Sequence, residues 1–167
     1  MAKTLEIKIF NCPILRKSSK DLKSSELQNK EIQQLILDMD QTMKNKDGWG
    51  LAAPQVGHNL RLVVINTQDG TMVLVNPKIL RQSWKKEILE EGCLSLPEVF
   101  GLVKRSIKVT LTALDKNGKR IKFTANGMLA RVIQHEVDHL EGILFVDKVR
   151  KITQGEKIFE KFKKGEI

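Results

Sequence analysis

The sequence contains no apolar run long enough to cross a bilayer, and its first residues lack the apolar core of a secretory signal. A membrane-spanning or exported protein is therefore not expected, and the expected location is cytoplasmic. Cysteine is scarce, with Cys12 and Cys93 as the two examples. That excludes a disulfide-built scaffold; in a cytosolic chain both thiols are expected to be reduced, buried or bound to metal. There is no internal repeat, no linker and no low-complexity tract. Apolar content is ordinary, so the 167 residues are expected to fold as one globular domain over 1–167 with a sizeable core.

Positive charge is in excess. The formal net charge is +9, a balance often met in proteins that approach a polyanion. Most lysines are scattered and read as solvated surface. The densest basic run is at the C-terminus, with Lys148, Arg150, Lys151, Lys157, Lys161, Lys163 and Lys164.

Periodicity supplies the elements. Leu5 to Phe10 alternates and predicts a short strand. Ile32, Leu35, Ile36, Met39 and Met43 form an apolar stripe at helical spacing, in a helix expected from Ser24 or Ser25 to about Asn45. The Gly48–Gly57 stretch reads as a tight turn with little side-chain bulk. Strands are expected at 60–66 and 72–75, joined through Asp69-Gly70, with Asn76-Pro77 then turning the chain. Further strands are expected at 86–89, 99–103, 108–113 and 120–124. A helix follows over about 126–140, then a short extended piece at 143–146 and a lysine-rich helix over about 153–163. The fold class is α+β, with mainly antiparallel sheets around a central helix, plus an N-terminal and a C-terminal helix.

Chemistry concentrates in the central helix. His135-Glu136-Val137-Asp138-His139 is an H-E-x-x-H pattern. Histidines four residues apart lie one turn apart on one face, so both rings can reach a single metal ion. Glu136 is offset by about 100° from His135, beside that ion, where a carboxylate can handle the protons of a bound water. Met128 and Val132 fall on the same arc as the histidines and suggest an apolar pocket wall. Leu129, Ile133, Val137 and Leu140 fall on the adjoining arc and should face the core. A catalytic site of this kind usually takes a third protein ligand. Spacing leaves His58, Cys93, Cys12, Glu156 and Glu160 all open for that role.

Three stretches narrow the choice by resemblance. Gly48-Trp49-Gly50-Leu51-Ala52-Ala53-Pro54-Gln55, Glu91-Gly92-Cys93-Leu94-Ser95 and Gln134-His135-Glu136-Val137-Asp138-His139 resemble, in order, the three motifs of peptide deformylases. The length and the predicted last helix resemble the bacterial type that keeps a C-terminal helix. The resemblance implies a metal-dependent hydrolase that removes the formyl group from N-formylmethionyl nascent peptides and releases formate. It implies Cys93, His135 and His139 as metal ligands, with Fe(II) the expected ion and nickel, cobalt or zinc as substitutes. A water on the metal would attack the formyl carbon, with Glu136 as general base and then general acid. The Gln55 amide and the Leu94 N–H would hold the formyl oxygen. Trp49, Gly50 and Gly92 would face an extended peptide, as in strand addition, and Met128 and Val132 would line the pocket for the methionine side chain. Trp49 stands where the family has a smaller aliphatic residue, and Phe100 where an arginine is common; both belong to the substrate rim. A monomer is expected, with no membrane and no specific DNA partner, and the basic C-terminal helix could dock at the ribosome. Glu91 and Arg105 are expected to pair and brace the cysteine segment.

Overall fold

The computed structural model describes all 167 residues. The chain is α+β, as its periodicity implies. Helices α1 (Ser24–Leu27) and α2 (Lys30–Asn45) precede strands β1 (Gly50–Ala52), β2 (Leu62–Thr67), β3 (Gly70–Gln82), β4 (Lys86–Cys93), β5 (Leu96–Ser106), β6 (Lys108–Leu114) and β7 (Arg120–Asn126). Helix α3 (Gly127–Leu140), strand β8 (Val149–Gln154) and helix α4 (Glu156–Lys164) complete the chain. Every ladder is antiparallel. One sheet runs β1-β2-β3-β6-β7 and the other β4-β5-β8, so β1 and β4 are both edge strands.

Helix α3 lies between the two sheets. Ala130, Ile133 and Leu140 pack on Val63, Ile65, Leu74, Val109 and Leu111 of the larger sheet. Its polar side reaches the smaller sheet. The Gln134 side chain donates to Ser106 O at 2.8 Å and accepts from Ser106 N–H at 3.1 Å. Helix α2 covers the other face of the larger sheet with Leu35, Ile36, Met39 and Met43, the expected stripe. A third cluster, including Leu15, Leu96, Val103, Phe145 and Phe162, holds the smaller sheet and α4 together.

Several local expectations need correction. Residues 5–10 form no strand, because their donors go to separate elements. Leu5 N–H donates to Thr42 Oγ1, Lys8 N–H to Gln55 O and Phe10 N–H to Ser95 O. The segment is a strap across the fold, and its alternation reflects the two sides of that strap. The first helix is two, broken at Gln28-Asn29. Asn76-Pro77 does not end its strand. Asn76 adopts φ 51° inside β3, at a bulge between Val75 and Lys78, and its side chain bonds the N–H and C=O of Leu22. Proline suits a bulge because it has no N–H to offer a ladder. The first motif is not a simple turn: it holds β1 and a 3-10 turn, Ala53–Val56. The extended piece expected at 143–146 is shorter: Leu144 is extended, and the chain then enters a 3-10 turn, Phe145–Asp147, closed by Asp147 Oδ2 on Leu144 N–H. Strand β8 was not expected, and it takes Thr153 and Gln154 from the expected last helix, which starts at Glu156.

Candidate metal centre

Strand β4 and helix α3 bring the chemistry together. Strand β4 ends at Cys93, where its register with β5 shifts between Gly92 and Cys93 and turns the sulfur toward α3. Cys93 Sγ lies 3.2 Å from His139 Nε2. The rings of His135 and His139 stand 5.0 Å apart, edge to face, one helical turn apart as expected. One donor atom each from Cys93, His135 and His139 lies within 4.8 Å of the other two. Of the alternatives left open by spacing, none joins this group. His58 is exposed, Cys12 packs in the cluster under the smaller sheet, and Glu156 and Glu160 sit on α4.

Each ring is held for its task. His135 Nδ1 lies 3.0 Å from Glu91 Oε2, which leaves Nε2 for the centre. Burial alone would lower the His135 pKa, but the adjoining Cys93 sulfur and Glu91 carboxylate raise it to about 10 in the metal-free chain. His139 moves the other way. Burial and the charge of His135 hold it well below the usual histidine range, so it is a neutral imidazole, the form that binds metal. Its Nδ1 is buried without a partner. A thiol sulfur and two imidazoles suit zinc, iron, cobalt or nickel, so the residues fit a single divalent ion.

Glu91 is itself enclosed by cations. Arg105 reaches it through Nε at 2.8 Å and Nη2 at 2.9 Å, and Arg131 through Nη1 at 2.7 Å. Burial pushes the carboxylate up, but Arg105 and His135 outweigh it and hold Glu91 well below the usual carboxylate range. Arg105 also bonds Asp138, whose second oxygen takes the Lys148 ammonium at 2.6 Å. The expected Glu91–Arg105 pair is thus part of a larger network. Arg131 and Lys148 were not expected from sequence. Arg131 is 5 % exposed and also bonds Val103 O and Glu87 O.

Glu136 lies buried beside the centre, and its Oε2 has no partner. Burial raises its pKa from 4.5 to about 7, against the opposing charges of His135 and Arg105. Gly50 covers it: a Cβ there would come 2.5 Å from Glu136 Oε1. Gln55, on the 3-10 turn after β1, accepts from Ala52 N–H at 2.9 Å and donates toward Cys93 Sγ at 3.4 Å and Ser95 Oγ at 3.2 Å. Its amide therefore faces the centre.

A cleft of about 640 Å³ opens over these groups. Trp49, Gly50, Gly92, Phe100, Met128 and Val132 all line it, as do Gln55, Cys93, Leu94, His135 and Glu136. The free edges of β1 and β4 border it through Gly50 and Gly92. Gly92 has no room for a side chain, because the Phe100 ring would lie 2.6 Å from its Cβ.

An α+β fold with H-E-x-x-H on its central helix and a cysteine turned onto the two histidines is the donor arrangement that a metal-assisted hydrolase needs. The relatives carry this further. Residues 4–155 match the family model described as polypeptide deformylase. The chain is 45% identical over 152 residues to a peptide deformylase of Halothermothrix orenii, covering 90% of this chain and 96% of that one. It is also 45% identical over 165 residues to one from Thermodesulfovibrio yellowstonii, covering 95% and 96%. Among solved structures it resembles a Synechococcus elongatus peptide deformylase in complex with actinonin, at TM-score 0.84 and 44% identity over 90% of this chain and 82% of that one. It likewise resembles a Met-Ala-Ser-bound class I type b peptide deformylase from Acinetobacter baumannii, at TM-score 0.85 and 34% identity over 89% and 100%. The chain belongs to the polypeptide deformylase family, and it is a hydrolase of that family. No helix is long and apolar enough to cross a membrane.

Proposed function

We propose that this enzyme removes the formyl group from the N-terminal methionine of newly made polypeptides by metal-dependent hydrolysis. The observation that carries the reading is the convergence of Cys93, His135 and His139 beside the unpartnered Glu136 carboxylate. These three would hold one divalent cation, Fe(II) by the resemblance. When bound, the cation supplies Lewis acidity that makes water nucleophilic at neutral pH and polarises a carbonyl.

The chain's own groups supply the rest. Glu136 accepts the proton of the attacking water at its unpartnered oxygen. As the C–N bond of the formamide breaks, it returns that proton to the leaving nitrogen. Water thereby adds to the formyl carbon, and the products are formate and a free amine. The Gln55 amide and the Leu94 N–H donate to the formyl oxygen as negative charge develops there. Leu94 N–H makes no hydrogen bond within the chain, which suits that role. The peptide lies extended between the edges of β1 and β4, with Trp49, Gly50 and Gly92 alongside. Met128 and Val132 line the pocket for its methionine side chain. Trp49 and Phe100 form the rim that meets later residues.

The Met-Ala-Ser bound to the Acinetobacter relative has the chemistry of a deformylated product and supports this substrate class. The reading takes the enzyme to act as a monomer, in one domain. Phe162 is buried, and Ile158 and Phe159 pack beside it, so α4 is docked by its apolar face. Its lysines are left outward to meet the ribosome.

The test is formate release from formyl-Met-Ala-Ser by anaerobically purified protein, with metal analysis alongside. Glu136→Ala should keep its metal and lose nearly all turnover, whereas Cys93→Ser should lose metal. An active Glu136→Ala enzyme would overturn the proton-shuttle role. Full metal binding by Cys93→Ser would favour a protease-like site completed by a carboxylate.

A further inference from the structure

Trp84 sits in the turn between β3 and β4 with its side chain fully exposed, at 100%. The backbone beneath it is held firmly. Ser83 Oγ donates to Lys85 O at 2.7 Å and accepts from Lys108 N–H at 3.2 Å, while Ser106 Oγ donates to Ser83 O at 3.0 Å. Ser83 N–H donates to Lys108 O at 2.9 Å, and Ile107 N–H to Lys85 O at 3.2 Å. An indole left in water forgoes the burial that aromatic rings usually supply. Here it is displayed on a turn that is already ordered, so a partner could cover it at little conformational cost.

The charges around it are mostly positive. Arg81, Lys85 and Lys86 flank Trp84 in the chain. Lys108 is bonded to the turn through its backbone, and Lys104 lies across from Ile88 on the β4–β5 ladder. All five are exposed. None forms an ion pair, whereas Lys148 and Lys163 in the C-terminal basic run do. Glu87 is the single acid between Lys78 and Glu90.

We propose that this turn docks single-stranded RNA, with Trp84 stacked on an unpaired base and the surrounding cations on its flanking phosphates. A base face and a phosphate backbone together satisfy both features of the turn. A membrane surface fits less well, since Ser83 and Lys85 beside Trp84 are polar and the partly exposed Leu80 and Ile88 lie four residues away on either strand, short of the broad apolar face that insertion needs. A second copy of the chain would bring like charge against like charge. Cys93 is nine residues from Trp84 at the far end of β4, about 30 Å along an extended strand, so the surface is separate from the cleft. The choice of RNA over DNA rests on the proposed function, in which the substrate is a chain fresh from translation.

Binding of the metal-loaded full chain to a labelled unstructured 12-nucleotide RNA tests this by fluorescence anisotropy. An RNA duplex, a DNA strand of the same sequence and anionic phospholipid vesicles serve as comparators. The expected result is salt-sensitive binding that prefers the single-stranded RNA to the duplex and to the vesicles, with the DNA strand, which offers the same base faces and phosphates, bound comparably. Trp84→Ala should weaken it about tenfold or more, while Trp84→Phe retains most of it. Lys85→Glu with Lys86→Glu should weaken it and flatten its salt dependence. Formate release should be unchanged in all these variants. Equal affinity for Trp84→Ala, duplex binding as tight as the RNA, preference for vesicles, or loss of affinity only with Lys161→Glu and Lys164→Glu would each overturn the proposal. Failure of formate release by the unsubstituted chain would instead strike the deformylase reading and leave the RNA measurement interpretable.

Discussion

Glu91 Oε2 stands 3.0 Å from His135 Nδ1, so one side of the His135 ring is fixed by a buried carboxylate. Two guanidiniums hold that carboxylate in turn. The ring is therefore set by the smaller sheet, through β4 and β5, as well as by its own helix.

Glu91→Gln should weaken metal binding on the scale that lost outer-shell partners usually cost, about 10–100-fold. It should also destabilise the fold by about 3–5 kcal/mol, because Arg105 and Arg131 would lose the charge that compensates their burial. Competition with a chelator measures the first effect, and denaturant unfolding of the metal-free protein the second. A variant with both quantities unchanged would show the network to be incidental.

Much of this site was legible in the sequence, and the remainder was not, for identifiable reasons. Helical period alone places His135, His139, Met128 and Val132 on one arc, and α3 keeps them there. The third donor was not legible by spacing. Cys93 is 42 residues from His135, and only the bulged end of β4 aims its sulfur at α3; the motif resemblance pointed to it beforehand. Arg131 stands four residues before His135, on the same helix face, but a buried guanidinium and a solvated one look alike in sequence until Glu91 is found beneath it. Strand β1 is three residues long and owes its identity to pairing with β2. The alternation of residues 5–10 misled because a strap and a strand share a two-sided pattern.

The buried Glu136 carboxylate bears on stability. Its pKa rises from 4.5 in an ordinary setting to about 7 in the metal-free fold, mainly through burial. Between those values the unfolded chain has released this proton and the folded chain still holds it. Rising pH therefore favours unfolding, with the penalty complete above about pH 7 and at most about 3 kcal/mol. Glu136→Gln removes it. Metal-free Glu136→Gln should match the parent near pH 4 and exceed it by about 1–3 kcal/mol near pH 8, as urea midpoints at the two pH values would reveal. Equal stability at both would mean that the buried carboxylate carries no such cost.

Under the proposed function, the donor set should also govern tolerance of air. With Fe(II) bound, Cys93 beside an oxygen-reactive ion is open to stepwise oxidation. The iron form should lose activity in air within a preparation's working time, with sulfenic or higher acid found on Cys93 by mass spectrometry. The nickel form should persist. Equal lifetimes for the two forms would argue against oxidation at this centre.

Gly50 gives the sharpest steric test. A Cβ at this position would fall 2.5 Å from Glu136 Oε1 and 2.8 Å from its Cδ, closer than nonbonded atoms can approach. Gly50→Ala must then displace the Glu136 side chain from the centre or push β1 outward, narrowing the cleft. Misplacing a catalytic group by about 1 Å can cost on the order of 100-fold in rate, so kcat for formate release should fall by about that factor. The three metal donors do not touch Gly50, and metal content should stay near one per chain. Gly57→Ala is the control for adding a methyl group to an already left-handed backbone, at φ 86°; it should lower stability and spare kcat. If Gly50→Ala kept full turnover, the close cover over Glu136 would have no part in catalysis.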